Sequence, residues 1–298
     1  MWPQYLQQIQ LGDAKALARC ISLVENESAG YEELMQMLPV SNTPVIGITG
    51  PPGAGKSTLV DALISLLVSQ GERVGVLCVD PSSPFNFGAL LGDRIRMTEW
   101  YNHPKVFIRS LATRGSLGGL HPKIIEVSDL MKAAPFNYII VETVGVGQSE
   151  IEIAGLADVT IVTVVPEAGD EVQTMKAGLM EIADIFVVNK SDRPDADLFV
   201  KNLKSMLAPA FHLKQETIPI IKTIASQKQG IEKLLTAIKE RTNSQQTTGN
   251  QKRSWLLAEK AYHLIQQKRM AGISKEQLKK SIEASGGAFN LYRFVQNY

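Results

Sequence analysis

Residues 50–57 read GPPGAGKS and stand between an apolar run, VIGIT (45–49), and a helical stretch, 56–69. A strand, a glycine-rich turn and a helix in immediate succession leave the chain few folds to choose from. Gly50, Gly53 and Gly55 allow the backbone to curl so that its N–H groups converge on phosphate oxygens. In the spacing G-x-x-x-x-G-K-[ST], Lys56 brings a point charge to the β- and γ-phosphates, and the Ser57 hydroxyl is a ligand for Mg2+. Ala54 and Thr58 belong to the same nucleotide-binding cradle. Its place between strand and helix separates this loop from a chance glycine-rich turn.

The remaining pattern extends the same architecture. VGVLCVD (74–80), VFIRSL (106–111), NYIIVET (137–143), VTIVTVV (159–165), DIFVVNK (184–190) and IPIIKTIA (218–225) are further candidate strands. Most are near-continuous apolar runs, as suits parallel strands covered on both faces. Helical stretches at 119–134, 170–183 and 197–207 alternate with them. The expected fold is therefore an open, doubly wound, mostly parallel α/β sheet of the P-loop type with helical extensions at both ends. Residues 1–43 form the N-terminal helical arm, 44–241 the P-loop domain, and 242–298 a linker followed by a C-terminal helical extension. TNSQQTTGNQK (242–252), polar and rich in Gln and Thr, is the linker.

Composition narrows the function. With 31 Lys and Arg against 30 Asp and Glu, the net charge is +1. That balance excludes the basic excess of a nucleic-acid binder, and Trp2, Trp100 and Trp255 are too scattered for a base-stacking platform. Two cysteines, Cys20 and Cys78, make neither a disulfide framework nor a cysteine-rich zinc site. Both fall on apolar faces. His103, His121, His212 and His263 lack paired ligand spacing. No apolar run approaches the roughly 20 residues of a membrane span, and the first residues show no secretory or transit signal. The expectation is a cytoplasmic protein with no membrane association.

NKSD, Asn189 to Asp192, closes the DIFVVNK strand. An Asp there accepts both guanine N1–H and the exocyclic amine, a pair adenine cannot return, so the motif selects GTP and GDP. Asn189 contacts the base edge or braces the phosphate loop, and the Lys190 stem covers the base. Asp80 ends one strand, Glu142 another, and Asp93 lies in LLGDRIRM. With Ser57 they form an oxygen-ligand set for Mg2+. Capping or surface pairing is the competing reading for Asp80 and Asp93. TVGVGQSE (143–150) suits sensing of the γ-phosphate. Arg94, Arg96, Arg109 and Arg114 are candidates to stabilise transferring charge, with surface pairing as their ordinary alternative.

Taken together, GITGPPGAGKSTLVDAL (47–63), VDPSSPF (79–85), LGDRIRM (91–97), TRGSLGGL (113–120), ETVGVGQSE (142–150), PEAGDEVQTMKAGLMEIAD (166–184) and NKSD resemble the MeaB/ArgK-type P-loop GTPases. The resemblance covers essentially 5–240 and includes LGDAKALARCISLVEN (11–26). It implies a metal shell of Ser57, Asp80, Asp93 and Glu142, with Lys56 and Glu142 as the catalytic residues. It also implies that Gly169–Gly178, carrying Asp170, Glu171, Gln173 and Lys176, couples nucleotide state to a partner. The implied function is a GTPase chaperone of an adenosylcobalamin-dependent acyl-CoA mutase, by default methylmalonyl-CoA mutase, gating cofactor loading and protecting or reactivating the mutase. Two departures stand out. The guanine-bracing Ser-Ala reads Ile224-Ala225, which leaves the backbone of Ala225 as the base contact. Residues 270–298 depart from the arm that carries dimer contacts in the family, so a homodimer stays open. The alternatives are a metallocentre-maturation GTPase, a kinase acting on a protein or amino acid, and a nucleotide-bound adaptor without useful turnover.

Overall fold

The computed structural model describes residues 1–80, 97–113, 120–143, 152–167, 180, 182–211, 218–247, 250–270, 272–285 and 289–296. Its centre is a seven-stranded sheet. The strands are β1 (Val45–Thr49), β2 (Val74–Asp80), β3 (Val106–Ala112), β4 (Tyr138–Glu142), β5 (Val159–Val164), β6 (Ile185–Val188) and β7 (Ile220–Lys222). They lie in the order β3-β2-β4-β1-β5-β6-β7, and every pairing is parallel. All seven apolar runs become strands, and the last four are shorter than their runs, β6 and β7 most of all. The chain leaves the β6 ladder at Asn189 and the β7 ladder at Thr223, and both residues turn their polar groups into the site described below.

Alternate residues of each strand face opposite layers. Ile46, Ile48, Val76, Ile140, Ile161 and Val187 join a buried cluster with helix α4 (Lys56–Ser69) and a later helix, Ile231–Thr247. Leu77, Val79, Ile139 and Val141 face the other way. They pack with α1 (Trp2–Gln10), α2 (Ala14–Glu25), α3 (Tyr31–Gln36) and α5 (Ile124–Lys132). On that same side α6 (Ala196–Phe211) covers Val162, Val164, Phe186 and Val188. Both faces are thus dry, the condition under which continuous apolar strands are stable.

The N-terminal helices are integral to this layer, and Met1–Arg253 forms one compact unit. Asp13 caps α2 by accepting from the amides of Lys15 and Ala16 at 2.8 and 3.0 Å. Leu17, Cys20, Ile21 and Val24, one stripe of α2, are buried, as is Cys78 on β2. Arg109 of β3 pairs with Glu25 and donates to Ser22 Oγ at 3.0 Å. Of the two readings for Arg109, the structure shows the pairing: Arg109 ties α2 to the sheet, and Glu25 and Ser22 both lie on that helix rather than at the phosphate loop. Arg94, Arg96 and Arg114 lie outside the described residues. Lys123 makes a second tie, to Tyr31 Oη at 3.1 Å and Glu126 at 3.2 Å. Burial pulls the Lys123 ammonium down, but Tyr31 and Glu126 outweigh it and hold it above its ordinary value.

The stretch expected to be a linker is largely helical. Helix α7 (Ile231–Thr247) runs through 242–247, and α8 (Asn250–Met270) takes up again at 250. Short polar side chains permit this by bonding back onto their own helix: Thr242 Oγ1 donates to Ile238 O at 2.9 Å, and Ser244 Oγ to Arg241 O at 3.0 Å. A second compact unit, Ser254–Tyr298, contains α9 (Lys275–Ala284) and α10 (Leu291–Val295). A capping box between Ser274 and Gln277 starts α9. The expected helix at 119–134 is confined to α5, and that at 170–183 falls mostly outside the described residues.

Candidate functional site

At the carboxyl edge of the sheet, β1 feeds the 50–57 loop, and the loop feeds α4. Gly50 adopts φ +140°, and a Cβ there would sit 2.0 Å from the Thr163 carbonyl of β5. Gly55, at φ +84°, would drive a Cβ to 2.5 Å from Asn189 Nδ2. Glycine is required at both positions by backbone conformation and by contact alike. Gly53 also has positive φ, +77°. No side chain caps α4, so its first-turn amides remain directed toward the loop, the arrangement that receives phosphate.

Lys56 occupies the first position of α4 and is buried. Its Nζ donates to Gly50 O at 2.9 Å and Pro51 O at 3.1 Å, which places the ammonium inside the curl of the loop. The next residue, Ser57, donates from Oγ to Glu142 Oε1 at 2.7 Å, and both side chains are buried. Glu142 ends β4 and is in register with Ile48 of β1 and Cys78 of β2. Asp80 ends β2 two residues beyond that register point. Its side chain, and the whole of Asp93, lie outside the described residues. Of the four expected metal ligands, the structure therefore brings Ser57 and Glu142 together. A hydroxyl and a carboxylate in contact are oxygen donors of the kind a hard divalent cation takes, so this pair fits Mg2+.

The NKSD segment meets the loop from the other side. Asn189 Nδ2 donates to Ala54 O at 2.9 Å, while its Oδ1 accepts from Thr223 Oγ1 and from the Ala225 amide, both at 3.1 Å. Of the two expectations for Asn189, the geometry shows the brace. One side chain at 2% exposure joins the phosphate loop to the end of β7. Lys190, at φ +54°, donates from Nζ to Gly53 O at 2.8 Å. Asp192 is exposed at the same turn, and Thr58 is half-buried on α4. The Ala225 amide, expected at the guanine, is here bonded to Asn189.

Three contacts at this edge had no signal in the sequence. Thr143 Oγ1 donates to Thr49 Oγ1 at 3.0 Å and joins β4 to β1 beside the loop. Thr223 completes the Asn189 clasp. Arg193, just past Asp192, pairs with Glu167, the last described residue before 168–179. Slight burial raises the Glu167 carboxyl, but the hydrogen bond and charge of Arg193 hold it below its ordinary value. Each joins residues far apart in the chain, which no local spacing encodes. Among the described residues no three His, Cys, Asp or Glu side chains gather into a metal cluster.

Comparison with known proteins agrees with this geometry. The sequence model of the family described as methylmalonyl Co-A mutase-associated GTPase MeaB matches residues 17–280. A Pyrococcus horikoshii protein that bears the name of a GTPase is 43% identical over 294 residues, which cover 96% of this chain and 90% of that protein. GTPase ArgK of Escherichia coli is 38% identical over 244 residues, covering 78% and 73%. Among solved structures, that of a LAO/AO transport system kinase superposes with a TM-score of 0.71 at 25% identity, over 99% of this chain and 95% of its own.

Proposed function

The chain belongs to the MeaB family of methylmalonyl-CoA mutase-associated GTPases and hydrolyses GTP, and we propose that it does so as the chaperone of an adenosylcobalamin-dependent acyl-CoA mutase. The family match over 17–280 is the observation that carries the partner, with methylmalonyl-CoA mutase the first client to test. In this reading the GTPase gates cofactor loading and protects or reactivates the mutase, in the cytoplasm. No helix among the described residues is long and apolar enough to cross a membrane.

The mechanism follows from the side chains. GTP lays its β- and γ-phosphates along the loop amides, and Lys56 exchanges the Gly50 and Pro51 carbonyls for phosphate oxygens. Ser57 and Glu142, with Asp80 and Asp93, would hold Mg2+, which neutralises charge on the phosphates when bound. Phosphoryl transfer needs positioning and charge stabilisation more than covalent help, so turnover without the partner is slow. Asn189 and Lys190 keep the base loop locked to the phosphate loop, and Asp192 reads guanine. The Arg193–Glu167 pair, two residues before Gly169–Gly178, supports reading that stretch as the one through which the mutase senses nucleotide state.

Asp192→Asn is expected to weaken GTP binding by about 1.5–3 kcal/mol, roughly 10- to 150-fold, because one charge-assisted acceptor is lost at the base edge. Thermal stability should not change, since Asp192 is exposed. Competition between GTP, ATP and XTP for a fluorescent guanine nucleotide checks this, and unaltered guanine selectivity would refute the role of Asp192.

The partner assignment is tested by phosphate release from GTP with and without a purified mutase, with ATP as control. Acceleration by the mutase, restricted to GTP, is the expected result. Slow hydrolysis indifferent to the mutase would remove the client and direct attention to metallocentre maturation. Consumption of GTP without free phosphate, in the presence of an acceptor protein or amino acid, would establish a kinase instead.

A further inference from the structure

Asp192 is exposed on a turn that closes at Arg193, whose amide donates to Lys190 O at 3.1 Å. Among the described residues no cation pairs with the Asp192 carboxylate. Chance alone would not leave it so, because the two segments that meet here, 189–195 and 222–230, carry Lys190, Arg193, Lys222 and Lys228. Lys190 Nζ donates to Gly53 O at 2.8 Å, Lys222 Nζ pairs with Asp197 Oδ1 at 2.7 Å, and Lys228 Nζ donates to Ser65 Oγ at 2.7 Å. Arg193 pairs with Glu167. Each cation is held by a group other than Asp192.

Arg193 is the cation best placed to capture that carboxylate. Neighbouring Cα atoms are about 3.8 Å apart, well within the length of an arginine side chain, and both residues are exposed on one turn. Glu167 directs the guanidinium elsewhere. The Asn189 amide donates to Val164 O at 2.8 Å, so the chain leaves β5 and β6 side by side. Glu167 stands three residues beyond Val164, and Arg193 four beyond Asn189. The Glu167 carboxylate also feels the charge of Lys190. With side-chain exposures of 43% and 47%, the pair is a surface bridge, and such bridges add little to stability. Its consequence lies in where it puts the positive charge. We infer that Glu167 is a specificity-positioning residue, which holds the Arg193 guanidinium away from Asp192 and leaves that carboxylate open to the guanine N1–H and 2-amine. A carboxylate already engaged by a guanidinium fork has fewer lone pairs to offer a base edge. Glu167 acts through Arg193 rather than on the nucleotide. The inference rests on the reading of Asp192 as the guanine acceptor.

The test is binding of GDP and of inosine diphosphate, which lacks the 2-amine, to the full-length protein in competition with a fluorescent guanine nucleotide. Glu167→Ala releases Arg193. It is expected to weaken GDP binding by about twofold to fivefold at low salt and to narrow the preference for GDP over inosine diphosphate. Most of this difference should disappear at about 1 M salt, where charges are screened within about 3 Å. Arg193→Ala should keep the wild-type values, and the double variant of Glu167→Ala with Arg193→Ala should recover them, a rescue that general loosening of the turn would not produce. Asp192→Asn serves as reference. Unchanged GDP affinity in Glu167→Ala, beside a lost guanine preference in Asp192→Asn, overturns the positioning role and leaves Asp192 at the base. A double variant as weak as Glu167→Ala gives the pair a structural role only and overturns it as well. Guanine preference retained in Asp192→Asn overturns both readings.

Discussion

Replacing Lys56 by alanine should reduce GTP hydrolysis by about 10²–10³-fold and abolish tight nucleotide binding, while the protein stays folded. The ammonium is buried at 6% exposure and donates to two carbonyls of the loop itself. Water can satisfy Gly50 O and Pro51 O once the side chain is gone, because the apex of the loop at Pro52 and Gly53 is exposed. The loss therefore falls on binding and on charge stabilisation during transfer, not on stability. Circular dichroism melts should coincide with wild type, whereas titration with a fluorescent guanine nucleotide should show no saturation. Lys56→Arg is not expected to rescue activity, since a planar fork cannot replace a compact charge inside a loop this tight. Unchanged GTP affinity in Lys56→Ala would remove the loop from the nucleotide site altogether.

The place of Lys56 inside the loop was legible in the sequence because motif, strand and helix are contiguous there. The same holds for the sheet, where continuous apolar runs leave little choice but a doubly covered parallel strand. Legibility fails where partners are distant. Pairing was the ordinary reading for Arg109, but the sequence does not name its partners, Glu25 and Ser22, which lie more than 80 residues earlier. Glu167 and Arg193 carry no mutual spacing that a one-dimensional reading can weigh. Residues 242–247 failed for a different reason. Their polar composition suggests a linker, but Gln has good helix propensity, and Thr and Ser satisfy themselves against the preceding turn. Asn189 lies between these cases. Its motif placed it at the nucleotide, and only the fold shows which of its two roles it takes.

That role makes Asn189→Ala the most informative substitution at the site. The side chain is 2% exposed and contributes one donor and one twice-used acceptor, to Ala54, Thr223 and Ala225. Alanine would strand the Ala54 carbonyl, the Thr223 hydroxyl and the Ala225 amide, and would open a cavity where Gly55 now approaches Asn189 Nδ2. Buried groups that lose a shared partner cost about 1–3 kcal/mol, so a net loss of roughly 2–4 kcal/mol is expected for the clasp as a whole. At about 2–4 °C per kcal/mol for a domain of this size, the melting temperature should fall by roughly 4–16 °C. Nucleotide affinity should fall with it, since the phosphate loop and the base loop would no longer be held in register. Asn189→Asp should do no better: it keeps the acceptor for Thr223 and Ala225 but sets a carboxylate oxygen against Ala54 O. Asp192→Asn provides the contrast, with guanine selectivity lost and the melt unchanged. A melt of Asn189→Ala within about 2 °C of wild type would show that the clasp is not what joins the two loops, and Asn189 would then belong to the base edge.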